Sequence, residues 1–83
     1  ETYYNLSMRR IISIARERIN PNWFYWERED GMKMFGPFIM VAANQKVHPY
    51  GSTVLTSRGL GIVVDTGGFA KNNPTQIDIA VTW

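Results

Sequence analysis

From Gly36 onward, glycine, proline and asparagine cut the chain into apolar, β-branched runs too short for helices. The runs are Phe38 to Ala43, Ser52 to Thr56, Leu60 to Asp65 and Gln76 to Val81. Between them lie Val47-His48-Pro49-Tyr50-Gly51, Ser57-Arg58-Gly59, the Gly67-Gly68 bend and a polar loop from Lys71 to Pro74. Short strands with turn signals about every eight to twelve residues predict a small, mainly β barrel. With 83 residues there is material for one domain and one thin core. Gly36-Pro37 leads into the first of these strands.

The earlier part of the chain reads differently. Met8, Ile11, Ile12, Ala15 and Ile19 recur at helical spacing, predicting a helix from about Met8 to Ile19. Asn5-Leu6-Ser7 is a candidate cap, and Asn20-Pro21-Asn22 is a stop, since Pro21 lacks the donor a helix needs. Trp23-Phe24-Tyr25-Trp26 follows, then a polar turn from Glu27 to Gly31. Four consecutive aromatics cannot all face one core. Most are expected to pack, while Trp23 and Trp26 are candidates for stacking on a sugar ring. Residues 1–35 are read as a helical and aromatic N-terminal extension, and residues 36–83 as the barrel. The chain begins at Glu1 and stops within an expected strand at Val81-Thr82-Trp83, as a fragment or mature form would.

Several chemistries are disfavoured by composition. There is no cysteine, hence no disulfide and no thiolate metal site. His48 stands alone before Pro49 and reads as a turn residue. No phosphate-binding glycine loop with Lys-Ser or Lys-Thr occurs. The net charge is only +2, and Arg9, Arg10, Arg16 and Arg18 share their segment with Glu17, so no nucleic-acid partner is expected. No apolar run is long enough for a membrane span, and no signal peptide is visible.

What remains is a pair of acids. Beyond Gly31 the only carboxylates are Asp65, in Val64-Asp65-Thr66-Gly67-Gly68, and Asp78, in Gln76-Ile77-Asp78-Ile79-Ala80. An acid inside an apolar run is costly to bury unless it is hydrogen-bonded or used. Alternation sends Ile77, Ile79 and Val81 to one face and Asp78, Ala80 and Thr82 to the other. Asp65 ends its strand at a double glycine, whose backbone allows close approach and whose amides can donate to an anion. The bland alternative is that Asp65 serves only its turn and Asp78 only solvates a surface.

The segment from about Pro37 to Trp83 resembles the 3D domain, named for three aspartates, of MltA-type lytic transglycosylases and their Gram-positive cell-wall relatives. The resemblance rests on Ala42-Ala43-Asn44, His48-Pro49-Tyr50-Gly51-Ser52, Asp65-Thr66-Gly67-Gly68-Phe69-Ala70-Lys71 and Ile77-Asp78-Ile79. It implies a double-psi β-barrel, here preceded by an α-helix. It implies cleavage of the β-1,4 bond between N-acetylmuramic acid and N-acetylglucosamine, with Asp78 as acid and base and Asp65 as its essential neighbour. Asn44, Thr66, Gly67, Gly68 and Lys71 become candidates for substrate contact. No cofactor and no metal is implied. The implied partner is the peptidoglycan glycan strand, at an extracellular or cell-wall location, with the oligomeric state left open. One departure matters: Asn44 stands where relatives carry the first aspartate, so a catalytically silent glycan- or protein-binding module is the alternative. A single Asp65-Thr66-Gly67 also resembles half of an aspartic protease site, which would require a homodimer. Retroviral-type subunits carry a later apolar-apolar-Gly motif, and Ile77 to Trp83 contains no glycine.

Overall fold

The computed structural model describes residues 1–66 and 75–83. Its elements are β1 (Thr2–Tyr4), α1 (Arg9–Arg18), β2 (Tyr25–Glu27), β3 (Lys33–Phe35), β4 (Phe38–Ala43), β5 (Thr53–Thr56), β6 (Gly59–Asp65) and β7 (Ile77–Ala80). The protein is mainly β, with one helix among the described residues, and its sheet curls into a half-barrel. The four strands expected after Gly36 all form, within a residue of their expected starts and ends. Residues 1–35 contribute three further strands to the same sheet.

β4 is the central strand. It runs parallel to β6 on one edge. On its other edge β3 pairs with its first half and β7 with its second. The Met32–Val81 bridge closes the seam where those two partners meet. β1 extends the sheet beyond β7, β2 beyond β3, and β5 beyond β6. The β3–β4 hairpin turns on Gly36-Pro37, with Gly36 at φ +57°. Glycine at that first turn position suits a two-residue hairpin, and a Cβ there would lie 2.7 Å from the Trp23 indole.

The run Phe38 to Ala43 is apolar throughout because both faces of β4 are covered. Ile39, Val41 and Ala43 join Met32, Met34, Val63, Ile77, Ile79 and Val81 in a cluster on the face away from the helix. Met40 joins Phe35, Ile62, Val64 and Ala80 beneath the helix. Met8, Ile11, Ile12, Ala15 and Ile19 supply the helix's side of that second cluster, as their spacing predicts. The helix begins differently from expectation. Its N-cap is Met8, with no side-chain capping bond from Asn5 or Ser7. Asn5 is committed elsewhere: its Oδ1 accepts from Lys33 Nζ (3.0 Å), and its Nδ2 donates to the Thr82 carbonyl. At the other end Arg16 and Arg18 sit favourably in the last turn, and Asn20 accepts from the Asn22 amide.

Side chains at the margins hold the curl. The Ser57 amide and hydroxyl donate to Glu1, Arg58 Nε donates to the Tyr3 hydroxyl, and Arg28 Nη2 donates to the Arg58 carbonyl. The β5–β6 turn is thereby fastened to β1 and to the segment before β3. Lys33 is buried and donates to both Asn5 and the Leu6 carbonyl, which anchors the connection from β1 to the helix.

Candidate functional site

The two acids meet at one residue of β4. Ala42 pairs with Asp78 across the antiparallel β7 and with Asp65 across the parallel β6. Strict alternation along β6 would put Asp65 on the same side as Val63, in the core away from the helix. A register shift between Val41 and Ala42 prevents this. The extra residue carries Asp65 to the side shared by Met40 and Ala42, which is also the side of Asp78. Both carboxylates are half-buried. Their backbones lie two strand spacings apart, about 9.5 Å.

Each acid has defined donors. Asp65 Oδ1 accepts from the Thr66 amide at 2.8 Å, and Oδ2 from the Tyr4 hydroxyl at 3.3 Å. Asp78 Oδ1 accepts from Thr2 Oγ1 at 2.8 Å, and Thr2 in turn accepts from Gln76 Nε2 at 3.0 Å. Thr2 faces Asp78 in the β1–β7 register, and Tyr4 faces Ala80. To reach Asp65 the Tyr4 ring must cross β7 and β4. Ala80 and Ala42 are small enough to permit that path. Burial pushes the Tyr4 phenol well above its ordinary value, helped by the charge of Asp65, its hydrogen bond to Asp65, and the charge of Asp78. The hydroxyl therefore lies within the field of both carboxylates.

This arrangement has a measurable consequence in alkali. Above the ordinary tyrosine value of 10.0, the unfolded chain releases the Tyr4 proton while the folded chain keeps it. The folded state then binds more protons, so stability falls as pH rises. The slope from Tyr4 approaches about 1.4 kcal/mol per pH unit and vanishes below about pH 9. Urea unfolding at stepped pH should show this decline, and Tyr4→Phe should reduce it. A smaller slope of the same sign should persist, because burial and Glu27 also raise Tyr25.

The other expected contacts divide. Thr66 is exposed and contributes its amide to Asp65. Asn44 follows the end of β4, near the acids. Its Oδ1 accepts from the Lys46 amide at 2.9 Å, and its carbonyl accepts from Val47 and His48, so it initiates the turn. Gly67, Gly68 and Lys71 lie outside the described residues. Trp23 is half-buried and packs against the Phe35 and Phe38 rings at the margin of the helix-side cluster. Trp26 is exposed, donating to the Gly36 carbonyl, but belongs to the end of the sheet remote from the acids. Among the described residues no cluster of three metal-binding side chains occurs, and no helix is long and apolar enough to cross a membrane.

Sequence reasoning missed Thr2 and Tyr4. Their only signal is the β-favouring composition of Thr2-Tyr3-Tyr4. Comparison of the chain with family models, curated proteins and solved structures gives no match.

Proposed function

We propose that this chain acts on bacterial cell-wall glycan as a lytic transglycosylase-like domain, with Asp78 as acid and base. The observation that carries the reading is the pairing of Asp65 and Asp78 with the same residue, Ala42, on one side of the sheet. The cycle begins with a proton on Asp78. That proton passes to the glycosidic oxygen as its bond to the anomeric carbon of N-acetylmuramic acid breaks. The sugar's own 6-hydroxyl attacks that carbon and returns its proton to Asp78. The products are a free N-acetylglucosamine 4-hydroxyl and a 1,6-anhydro ring, and Asp78 is regenerated. One acid serves both transfers, unlike the two-carboxylate division of ordinary glycosidases. Asp65 supplies negative charge near the developing oxocarbenium ion. Neither a metal nor an organic cofactor enters this cycle.

The finer architecture in this reading is a double-psi barrel. Two parallel pairings, β4 with β6 and β1 with β7, within an otherwise antiparallel sheet are compatible with it. The setting is extracellular or at the cell wall, with the peptidoglycan strand as partner. Thr66, Asn44, Gly67, Gly68 and Lys71 are the candidates for substrate contact in this reading. The test is mass spectrometry of purified sacculi incubated with the protein, which should yield 1,6-anhydro-muropeptide ends.

Asn44 favours a second reading. It occupies the position of a family aspartate, and its side-chain oxygen is engaged in the turn. A silent binding module would sediment with sacculi and release nothing.

A further inference from the structure

We propose that β1 is part of the acidic site, with Tyr4 and Thr2 as positioning residues for Asp65 and Asp78. As a claim about turnover this rests on the lytic reading; as a claim about the site it does not.

The strand is only three residues long, yet both side chains on one of its faces end on a carboxylate. Residues two apart along a strand share a face. Thr2 thus reaches Asp78 on the adjoining strand, while the longer Tyr4 reaches past two alanines to Asp65. The donors are oriented as well as close. Gln76 Nε2 donates to Thr2 Oγ1, which leaves the Thr2 proton for Asp78. The phenol of Tyr4 has its proton for Asp65.

The two carboxylates are held unequally. Asp65 has a donor on each oxygen, Thr66 on one and Tyr4 on the other. Among the described residues Asp78 has a donor on Oδ1 alone, which leaves Oδ2 to exchange a proton with a substrate. β1 therefore fixes the rotamers of both acids and distinguishes their roles. The strand is itself anchored: the Val81 amide donates to the Tyr4 carbonyl at 2.8 Å, and Lys33 Nζ grips Asn5 and Leu6 just beyond. Nothing in the resemblance to cell-wall enzymes covers this segment.

The experiment has two arms on the full chain. In the first, ring-carbon NMR of labelled tyrosines follows Tyr4 ionisation, its signal assigned by its loss in Tyr4→Phe. Tyr4 should stay protonated beyond the ordinary range. It should ionise at lower pH in Asp65→Asn, and to a lesser extent in Asp78→Asn. A Tyr4 signal indifferent to both replacements overturns the proposal. In the second arm, release of anhydro ends is measured for Tyr4→Phe and Thr2→Val. Each should lower kcat about tenfold or more with KM unchanged, and Thr2→Ser should restore it. Unchanged kcat in both, where the unaltered protein turns over, removes the positioning role. If the unaltered protein releases nothing, the lytic reading falls. The NMR arm then decides alone whether β1 belongs to the acidic site.

Discussion

Asp78→Asn should lower anhydro-muropeptide release from sacculi by about 10²–10⁴-fold, the usual share of a general acid–base group. The replacement is nearly isosteric. Its amide oxygen can still accept from Thr2 Oγ1, as Asp78 Oδ1 does. The neighbours Ile77 and Ile79 face the core away from the helix and are untouched. The melting temperature should therefore change little, so lost activity would report chemistry and not folding. An amide has no proton to give the leaving oxygen and little basicity toward the 6-hydroxyl, so both halves of the cycle fail together. Binding to sacculi should survive. Release that continues unabated in the Asp78→Asn protein would remove this residue from the reaction. Binding without release by the unaltered protein would favour the silent module.

The acids were legible in the sequence, and the resemblance made them neighbours, but the strand geometry that brings them to one side was not legible. Carboxylates are so sparse after Gly31 that Asp65 and Asp78 stand out from composition alone. Alternation around Ile77, Ile79 and Val81 turned Asp78 away from the core those three residues share. The same rule fails for Asp65, because one additional residue in β6 opposite Ala42 reverses which side it faces. Nothing in Val63-Val64-Asp65 announces that shift, which depends on how two distant strands settle beside each other. Thr2 and Tyr4 were hidden for a related reason. Their importance arises from a parallel pairing between opposite ends of the chain, and local patterns carry no information about such a partner.

The helix and the four later strands were legible because each is long enough to show a period or is bounded by strong turn residues. β1, β2 and β3 span three residues each, too short for alternation to register. In the aromatic run the period is nonetheless present. Trp23 and Tyr25 pack toward the helix-side cluster, whereas Phe24 and Trp26 are exposed. Arg16 covers the Phe24 ring at 4.6 Å, which explains how so large an apolar side chain is tolerated at the surface.

Phe35 tests whether those early residues are an appendage or part of the cooperative unit. It lies at the seam between the expected extension and the expected barrel, is fully buried, and meets Trp23 edge-on at 5.7 Å between ring centres. It also pairs with both Tyr25 on β2 and Phe38 on β4. Phe35→Ala should cost about 3–5 kcal/mol, since the surrounding rings can collapse only partly into the space left. A domain of this length has about 4–12 kcal/mol in total. The variant should therefore melt about 17–29 °C lower, or fail to fold at physiological temperature. Thermal unfolding followed by both tryptophan fluorescence and far-ultraviolet circular dichroism reads the outcome. One shared, strongly lowered transition means that the N-terminal strands and the barrel stand or fall together. A loss of the fluorescence transition alone, with the sheet signal melting as before, would make residues 1–35 a separable layer. In that case β1 could not hold the carboxylates, because its anchor through Lys33 belongs to the same early segment.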